Sequence, residues 1–415
     1  MSRDDKRQGV GAGVDRRAFL AAVGGSGLAG MAGCTGLGPG DGATVTFGIV
    51  SPISGAYSSL APAQRNGAEL AVETVNERDE FSFEAEMVTG DTETEATQGR
   101  QAAQRVIEQD GADYLMGAIS SSVGLALNEL AAEEEVVYNP GAAAVPITGE
   151  SCNEWVFRAE TNTAQIAEAV SAYTVNELGT DVWFHIADYP YGESVLNRTR
   201  RRMGEANSEF AVVDTSRSQL GADNYDTFIS DIGNSEAEVA LLGMTGGDLI
   251  NFVAQAADQG LKDEVDIVSP TMTFQVVRGA LGPAAYGTYG GVRYVPALDT
   301  GDNGDFVDAY ESEYDATPDN FARVGYQSIL MTAAGIEEAD STDPADVKDV
   351  LPDLETETIF GTNRYRGCDG QALNPTWMAE NVEPDGGDPA RVELLEEVSG
   401  EDAALPCEET GCDAR

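Results

Sequence analysis

Thr44-Val45-Thr46-Phe47-Gly48-Ile49-Val50 is followed, after a short loop, by residues 63–77 with apolar positions at Ala68, Ala71, Val72 and Val75. The first run is β-branched and continuous, as a strand buried on both faces must be. The second repeats at helical spacing. The same alternation goes on outward from this pair. Strands are predicted at 81–88, 114–117 and 136–138, with helices at 95–109 and 120–134 between and after them. A second set follows residue 157, with helices at 163–178, 192–206, 225–232 and 248–260 and strands at 182–187, 210–215, 239–242 and 266–268. Residues 306–314, 322–339 and 344–351 read as helices and 360–364 as a late strand. Beyond about residue 381 the chain is acidic and punctuated by Gly and Pro, and a loosely attached tail is expected over 381–415. Two rounds of strand and helix predict an α/β fold of two doubly wound parallel-sheet domains. Such sheets bind ligands at the carboxyl ends of their strands, so the strand-to-helix turns are the segments to search.

The 415 residues include 72 Asp and Glu against 24 Lys and Arg, a formal net charge of −48, with lysine only at Lys6, Lys262 and Lys348. Nucleic acid is excluded as a partner, because binding it needs a basic stripe that displaces counterions. Attraction to an anionic membrane surface fails on the same sign. With 42% hydrophobic residues the chain can still build a core, so the charge describes a surface and not disorder. Concentrated salt is the solvent this surface suits, since at molar ionic strength the Debye length is about 3 Å. A halophilic protein is expected.

Residues 1–33 read as an export signal. Arg16-Arg17 precede an uncharged run that is too short and glycine-rich for a spanning helix. The pattern resembles a twin-arginine signal, which serves folded cargo. Met31-Ala32-Gly33-Cys34 resembles a lipobox, in which cleavage leaves Cys34 to carry lipid; a soluble secreted product is the alternative. Loss of the signal removes five cations and three anions, leaving 69 acids against 19 bases. The remaining cysteines are Cys152, Cys368, Cys407 and Cys412, which allow three pairings. A small loop closed by Cys407–Cys412 with Cys152–Cys368 as the long bridge is the favoured expectation. A four-thiolate metal site is the alternative, disfavoured because only one pair is closely spaced. No metal or cofactor is expected.

Catalytic signatures are sparse. His185 lies inside the apolar strand at 182–187, where a histidine without an active role is the plain reading. Gly-x-Ser-x-Gly, Walker and His-Glu-x-x-His patterns do not occur. The turns say more. Ser120, Ser121 and Ser122 open a helix, where free N–H groups and the dipole favour an anion, although serines there also serve as plain N-caps. Gly141, Ala142 and Ala143 follow the next strand and let a ligand approach the backbone, or form a simple tight turn. Tyr191 follows the first strand of the second set.

Ile49-Val50-Ser51-Pro52-Ile53-Ser54-Gly55 and Gln64-Arg65-Asn66-Gly67-Ala68-Glu69-Leu70-Ala71 together resemble the opening of the branched-chain amino acid solute-binding family. Ile119 to Ser122, Asn139 to Ala143, Phe157-Arg158, Tyr189-Pro190-Tyr191-Gly192-Glu193 and Tyr365-Arg366-Gly367-Cys368-Asp369-Gly370-Gln371 follow in that family's order, so the resemblance spans roughly 44–380. It implies a type I periplasmic-binding fold whose two lobes, joined by a three-strand hinge, close over a small molecule and deliver it to the permease and ATPase subunits of an ABC importer. The expected lobes are 44–160 with 297–341, and 161–296 with 342–380. The resemblance also implies that Ser120 holds a ligand carboxylate beside Ser121 and Ser122. Gly141, with Ala142 and Ala143, gives backbone contacts, and Tyr191 reaches across from the second lobe. Tyr57 belongs to a loop that lines the pocket in relatives. Three departures stand out: Ala143 replaces a threonine, Gly246 beside Thr245 replaces an aromatic residue, and Thr271 replaces the acid that pairs with the ligand ammonium. A buried ammonium without that acid would cost several kcal/mol. Simple leucine-like recognition is therefore disfavoured; the expected ligand is a small amino-acid-like or carboxylate compound, with an aromatic acid or an amide as alternatives. A monomer, lipid-anchored on the outer face of the cytoplasmic membrane, is expected. A ligand sensor of the same fold and a secreted hydrolase are the rival readings.

Overall fold

The computed structural model describes residues 42–384 and 390–415. The signal expected at 1–33 and the anchor residue Cys34 lie outside the described residues.

Strand β1 (Ala43–Ser51) buries Val45, Phe47, Ile49 and Val50, as a central parallel strand must. It pairs in parallel with β2 (Phe83–Asp91) and β3 (Tyr114–Gly117), and β3 pairs with β4 (Tyr138–Pro140), giving the order β2-β1-β3-β4. Helices α1 (Ala61–Glu77), α2 (Ala96–Glu108) and α3 (Ser121–Glu134) provide the crossovers.

The second half starts with α4 (Thr163–Tyr173), set by a capping box between Asn162 and Gln165 and ending in a π-helical turn, Thr174–Leu178. Next come β5 (Asp181–Ala187), α5 (Pro190–Ala206), β6 (Ala211–Ser218), α6 (Asp226–Gly233), β7 (Val239–Gly243) and α7 (Gly246–Asp258). They are followed by β8 (Asp266–Ser269), α8 (Gln275–Leu281) and β9 (Thr288–Val292). Strands β5 to β9 are parallel in the order β6-β5-β7-β8-β9.

The chain then returns to the first half with α9 (Asn303–Tyr314), α10 (Asn320–Ala339) and α11 (Pro344–Val350). Helices α1 and α10 cross at Gly67 and Gly325, where a Cβ would lie 1.9 Å from the Ala322 carbonyl oxygen and 2.2 Å from that of Gln64. Only glycine allows the two backbones to approach so closely. Val347, Leu351 and Tyr365 are buried in the core under β1 to β4, whereas the sequence reading puts 342–380 in the second lobe. A hairpin of β10 (Thr356–Thr358) and β11 (Gly361–Asn363) precedes the return to the second sheet.

Three chain segments meet between the halves. Arg158 N–H donates to the Gly370 carbonyl (2.8 Å) and Ala372 N–H to the Arg158 carbonyl (3.0 Å). Asn374 Nδ2 and Arg323 Nη1 both donate to the Ala159 carbonyl at 2.7 Å.

The loosely attached tail is not what forms. β12 (Thr376–Val382) pairs antiparallel with β9, and β13 (Arg391–Val398) pairs antiparallel with β12, extending the second sheet to seven strands. The acidity of this stretch is that of an exposed edge strand, which charge protects from further pairing. A short helix, α12 (Gly400–Ala403), leads to two disulfides, Cys368–Cys407 and Cys152–Cys412. The expected pairing of Cys407 with Cys412 is thus corrected. Between these cysteines the tail passes from the turn at Cys368 to the loop at Cys152, so near neighbours in sequence reach different anchors. With all four thiols in disulfides, the metal alternative also falls. Arg201 on α5 pairs with Glu409 at 2.7 Å, and the Arg415 guanidinium lies 4.2 Å from the Phe157 ring centroid.

Candidate functional site

The carboxyl ends of β1, β3 and β4 form one wall. The loop after β1 buries Tyr57 and Leu60 against Leu249, Met272 and Phe274 of the second half, so the two halves are in contact here. Tyr57 N–H donates to Thr94 Oγ1 (3.1 Å), and the Tyr57 hydroxyl is hydrogen-bonded to that of Tyr189. Glu93 and Thr94, which support this loop, both adopt positive φ (51° and 63°), as does Ala118 (59°) in the turn after β3. Non-glycine residues in that region store strain, which surrounding structure must offset.

Ser120 occupies the N-cap position of α3, yet its side chain makes no capping bond, and its buried Oγ has no hydrogen-bond partner among the described residues. The plain N-cap role does not apply. Ser121 does structural work, its Oγ accepting from Ala144 N–H at 3.2 Å, and Ser122 is half-buried. Gly141, Ala142 and Ala143 are buried in the turn after β4. A Cβ on Gly141 would lie 2.3 Å from Gln64 Nε2. Arg158 fixes this turn from beneath, donating through Nη1 to the carbonyls of Ala142 (3.1 Å) and Ala144 (2.7 Å). Burial lowers its pKa to about 9, against the opposing pull of Asp369 and Glu160.

The other wall comes from the second sheet. Tyr191 opens α5, is buried beside Ala143, and lies against Thr271 and Arg293. Its hydroxyl makes no well-formed hydrogen bond among the described residues. Burial raises its pKa, with Arg293 acting the other way. Thr245 stands at the N-cap of α7, again without a capping bond, and its buried Oγ1 lacks a partner among the described residues. Gly246, where the family resemblance implies an aromatic residue, leaves the space filled by Tyr57: a Cβ there would sit 3.4 Å from Tyr57 Cδ1. Thr271 Oγ1 donates to the Met244 carbonyl at 2.9 Å, a bond that positions the α7 turn.

Sequence reasoning missed the charged floor. Arg293, just past β9, is 3% exposed and pairs through Nη1 with Glu160, itself 0% exposed. Glu160 Oε2 also receives Arg323 Nη2 and Asn320 Nδ2, each at 3.2 Å. Phe274 packs 5.5 Å beneath the Arg293 guanidinium. Burial opposes the charge on Arg293, but Glu160 and Tyr191 outweigh it and raise its pKa. No local signal marks Arg293, because the stretch before it, Thr288 to Val292, does not read as a strand.

His185 lies apart from the cleft residues, 0% exposed between Ser216 (Nδ1 to Oγ, 2.8 Å) and Ser218 (Nε2 to Oγ, 3.3 Å) and stacked on Phe252.

Residues 44–388 match a family described as "Periplasmic binding protein". A Leu/Ile/Val-binding protein homolog of Brucella suis is 23% identical over 328 residues, covering 78% of this chain and 86% of that one. A periplasmic binding protein from Burkholderia mallei superposes with a TM-score of 0.82 at 22% identity, covering 89% of this chain and 99% of that structure. An ABC transporter solute-binding protein of R. palustris, solved with benzoate, gives 0.77 at 22% identity, over 86% of this chain and 98% of its own.

Proposed function

The chain belongs to the periplasmic binding protein family, as the ordered motifs implied, and from that premise we propose that it captures a small carboxylate-bearing solute between its lobes for an ABC importer. It has the type I fold of that family, and it is a binding protein, not an enzyme. One observation carries the ligand reading. Ser120 Oγ on one lobe, and Tyr191 Oη, Thr245 Oγ1 and two nitrogens of Arg293 on the other, are buried without hydrogen-bond partners among the described residues. Buried polar groups in native proteins are satisfied; here Ser120, Tyr191 and Thr245 stand at strand-to-helix turns and Arg293 on the segment just past β9. In this reading α3's N-terminus with Ser120, Ser121 and Ser122 fixes the anionic end. Gly141, Ala142 and Ala143 offer backbone, while Tyr191, Thr245, Thr271 and Tyr57 close over the solute. The hinge motion is that of two lobes around a bound ligand.

The lobes are proposed as 44–160 with about 297–365, and 161–296 with the later strands. A twin-arginine signal, a lipid anchor at Cys34 on the outer face of the membrane, a monomeric state and a saline working solvent complete the proposal; Arg16-Arg17, the Met31 to Cys34 motif and the acidic surface support the signal, the anchor and the solvent. Mass spectrometry of solute released from protein purified in molar KCl tests the ligand class. Ser120→Ala combined with Tyr191→Phe should weaken binding of that solute about 100-fold, by loss of two charge-assisted bonds. Unchanged affinity in titration calorimetry would place the site elsewhere.

A further inference from the structure

Arg293 holds Glu160 through Nη1, while its Nε and Nη2 make no well-formed hydrogen bond among the described residues, only the Tyr191 hydroxyl acting on the guanidinium from beside it. Those two nitrogens form the side of the guanidinium that presents two parallel N–H bonds at carboxylate spacing. The group is 3% exposed, fixed below by Phe274 and flanked by Tyr191, whose hydroxyl also lacks a well-formed bond. An arginine kept this dry with one edge free is costly unless a ligand completes it. Nearby acids cannot serve. Glu160 is taken up by Arg293, Arg323 and Asn320, and Asp319 accepts from the N–H groups of Phe321 and Ala322. Asp248 is likewise occupied by Gly221 N–H.

Resting on the solute-binding reading above, we infer that Arg293 is a specificity-determining ligand anchor and that the solute is a small dicarboxylate. One acid group meets Ser120 and the α3 N-terminus; the other lies across the Nε and Nη2 edge of Arg293, with Tyr191 as a further donor. The two anchors belong to opposite lobes, so a diacid bridges them, and closure is coupled to the presence of both groups. A monocarboxylate satisfies one anchor and leaves the other buried and bare.

Titration calorimetry in molar KCl with succinate, longer aliphatic diacids and phthalate, against butyrate, benzoate and leucine, tests this. A diacid is expected to bind at least about 30-fold more tightly than its matching monoacid, the contribution of one bidentate pair. Arg293→Lys keeps the charge against Glu160 but loses the fork, and should weaken diacid binding about 30-fold while changing monoacid binding less than about threefold. Arg293→Gln, which leaves Glu160 paired with Arg323 and Asn320 and so guards against a stranded buried charge, should give the same loss. Diacid affinity unchanged in both variants overturns the inference, as does tightest wild-type binding of leucine or a monoacid; in those cases solute binding itself stands if Ser120→Ala and Tyr191→Phe still weaken it. Failure of every acid and of leucine to bind overturns the solute-binding reading with it.

Discussion

Ser216 and Ser218 engage the two ring nitrogens of His185, and Phe252, Phe228 and Tyr225 enclose the ring. Burial lowers its pKa from 6.5 to about 4. As pH falls through that window the unfolded chain binds a proton that the folded ring refuses, so stability drops, and the whole penalty, about 3 kcal/mol, is reached near the lower end. Asp248 and Asp319, both raised to about 6 by burial, have the opposite sign, favouring the fold as pH falls through 6. They remain in His185→Gln and cancel in a comparison with it. Urea unfolding at neutral pH and near pH 4.5 should therefore show the wild type losing more stability than His185→Gln, by about 2 kcal/mol; equal losses would refute a neutral buried ring. At this scale the sequence was legible where a residue stands in a turn. Ser120, Tyr191 and Thr245 are identifiable because strand ends meet helix starts there. Arg293 and Glu160 lie on connecting segments, and only the return of the chain from α8 and β9 brings them together.

The crossing of α1 and α10 makes a sharper demand on composition than any helix makes alone. Gly325→Ala would push a methyl against the Gln64 carbonyl oxygen, 2.2 Å away. Overpacking against backbone has no soft way out, and a loss of about 2 kcal/mol is expected. Gly279, exposed on α8 with nothing within 4 Å of its added Cβ, should behave oppositely, gaining about 0.5–1 kcal/mol as alanine. Denaturation of the two variants side by side checks both signs. Most strands and helices were legible from periodicity, because their apolar faces are local facts. β9 was not: Thr288-Tyr289-Gly290-Gly291-Val292 looks like a loop. Its glycines are there because a Cβ at 290 would come within 2.5 Å of the Ser269 carbonyl oxygen and one at 291 within 2.4 Å of Ile166. Helix α8 is only seven residues long. β13 is exposed on most of its length and carries no buried stripe to reveal it. In each case the cause lies in a neighbour distant along the chain.

Over the whole molecule the arginines are mostly spent on pairs, as in Arg201 with Glu205 and Glu409 and Arg202 with Glu168 and Glu205. Arg201 and Arg202 of the basic run 198–202 are thus neutralised, and most carboxylates among the described residues have only solvent ions to screen them. Stability should fall steeply as KCl is diluted from molar to tenth-molar, because the Debye length grows from about 3 to about 10 Å. Thermal melts across that series would expose a flat response as the contrary result. The two-lobed α/β organisation was legible in the two rounds of alternation. The disulfide pairing was not, since nothing local to Cys407 or Cys412 encodes where the tail runs.

That route has a consequence for biosynthesis. The first lobe cannot complete its core until α10 and α11 have been made, and the second sheet cannot complete until β12 and β13 follow. The bridge from Cys152 to Cys412 spans 260 residues of chain. Folding in the order of translation is therefore blocked: early strands must wait, unfinished, for the segments that cover them. Cytoplasmic thiols stay reduced, so under the proposed export of an already folded chain the covalent fastening of the tail belongs to a later stage and another compartment than the packing of the lobes. Newly made and mature molecules then differ in stiffness although the sequence and fold of their lobes are the same.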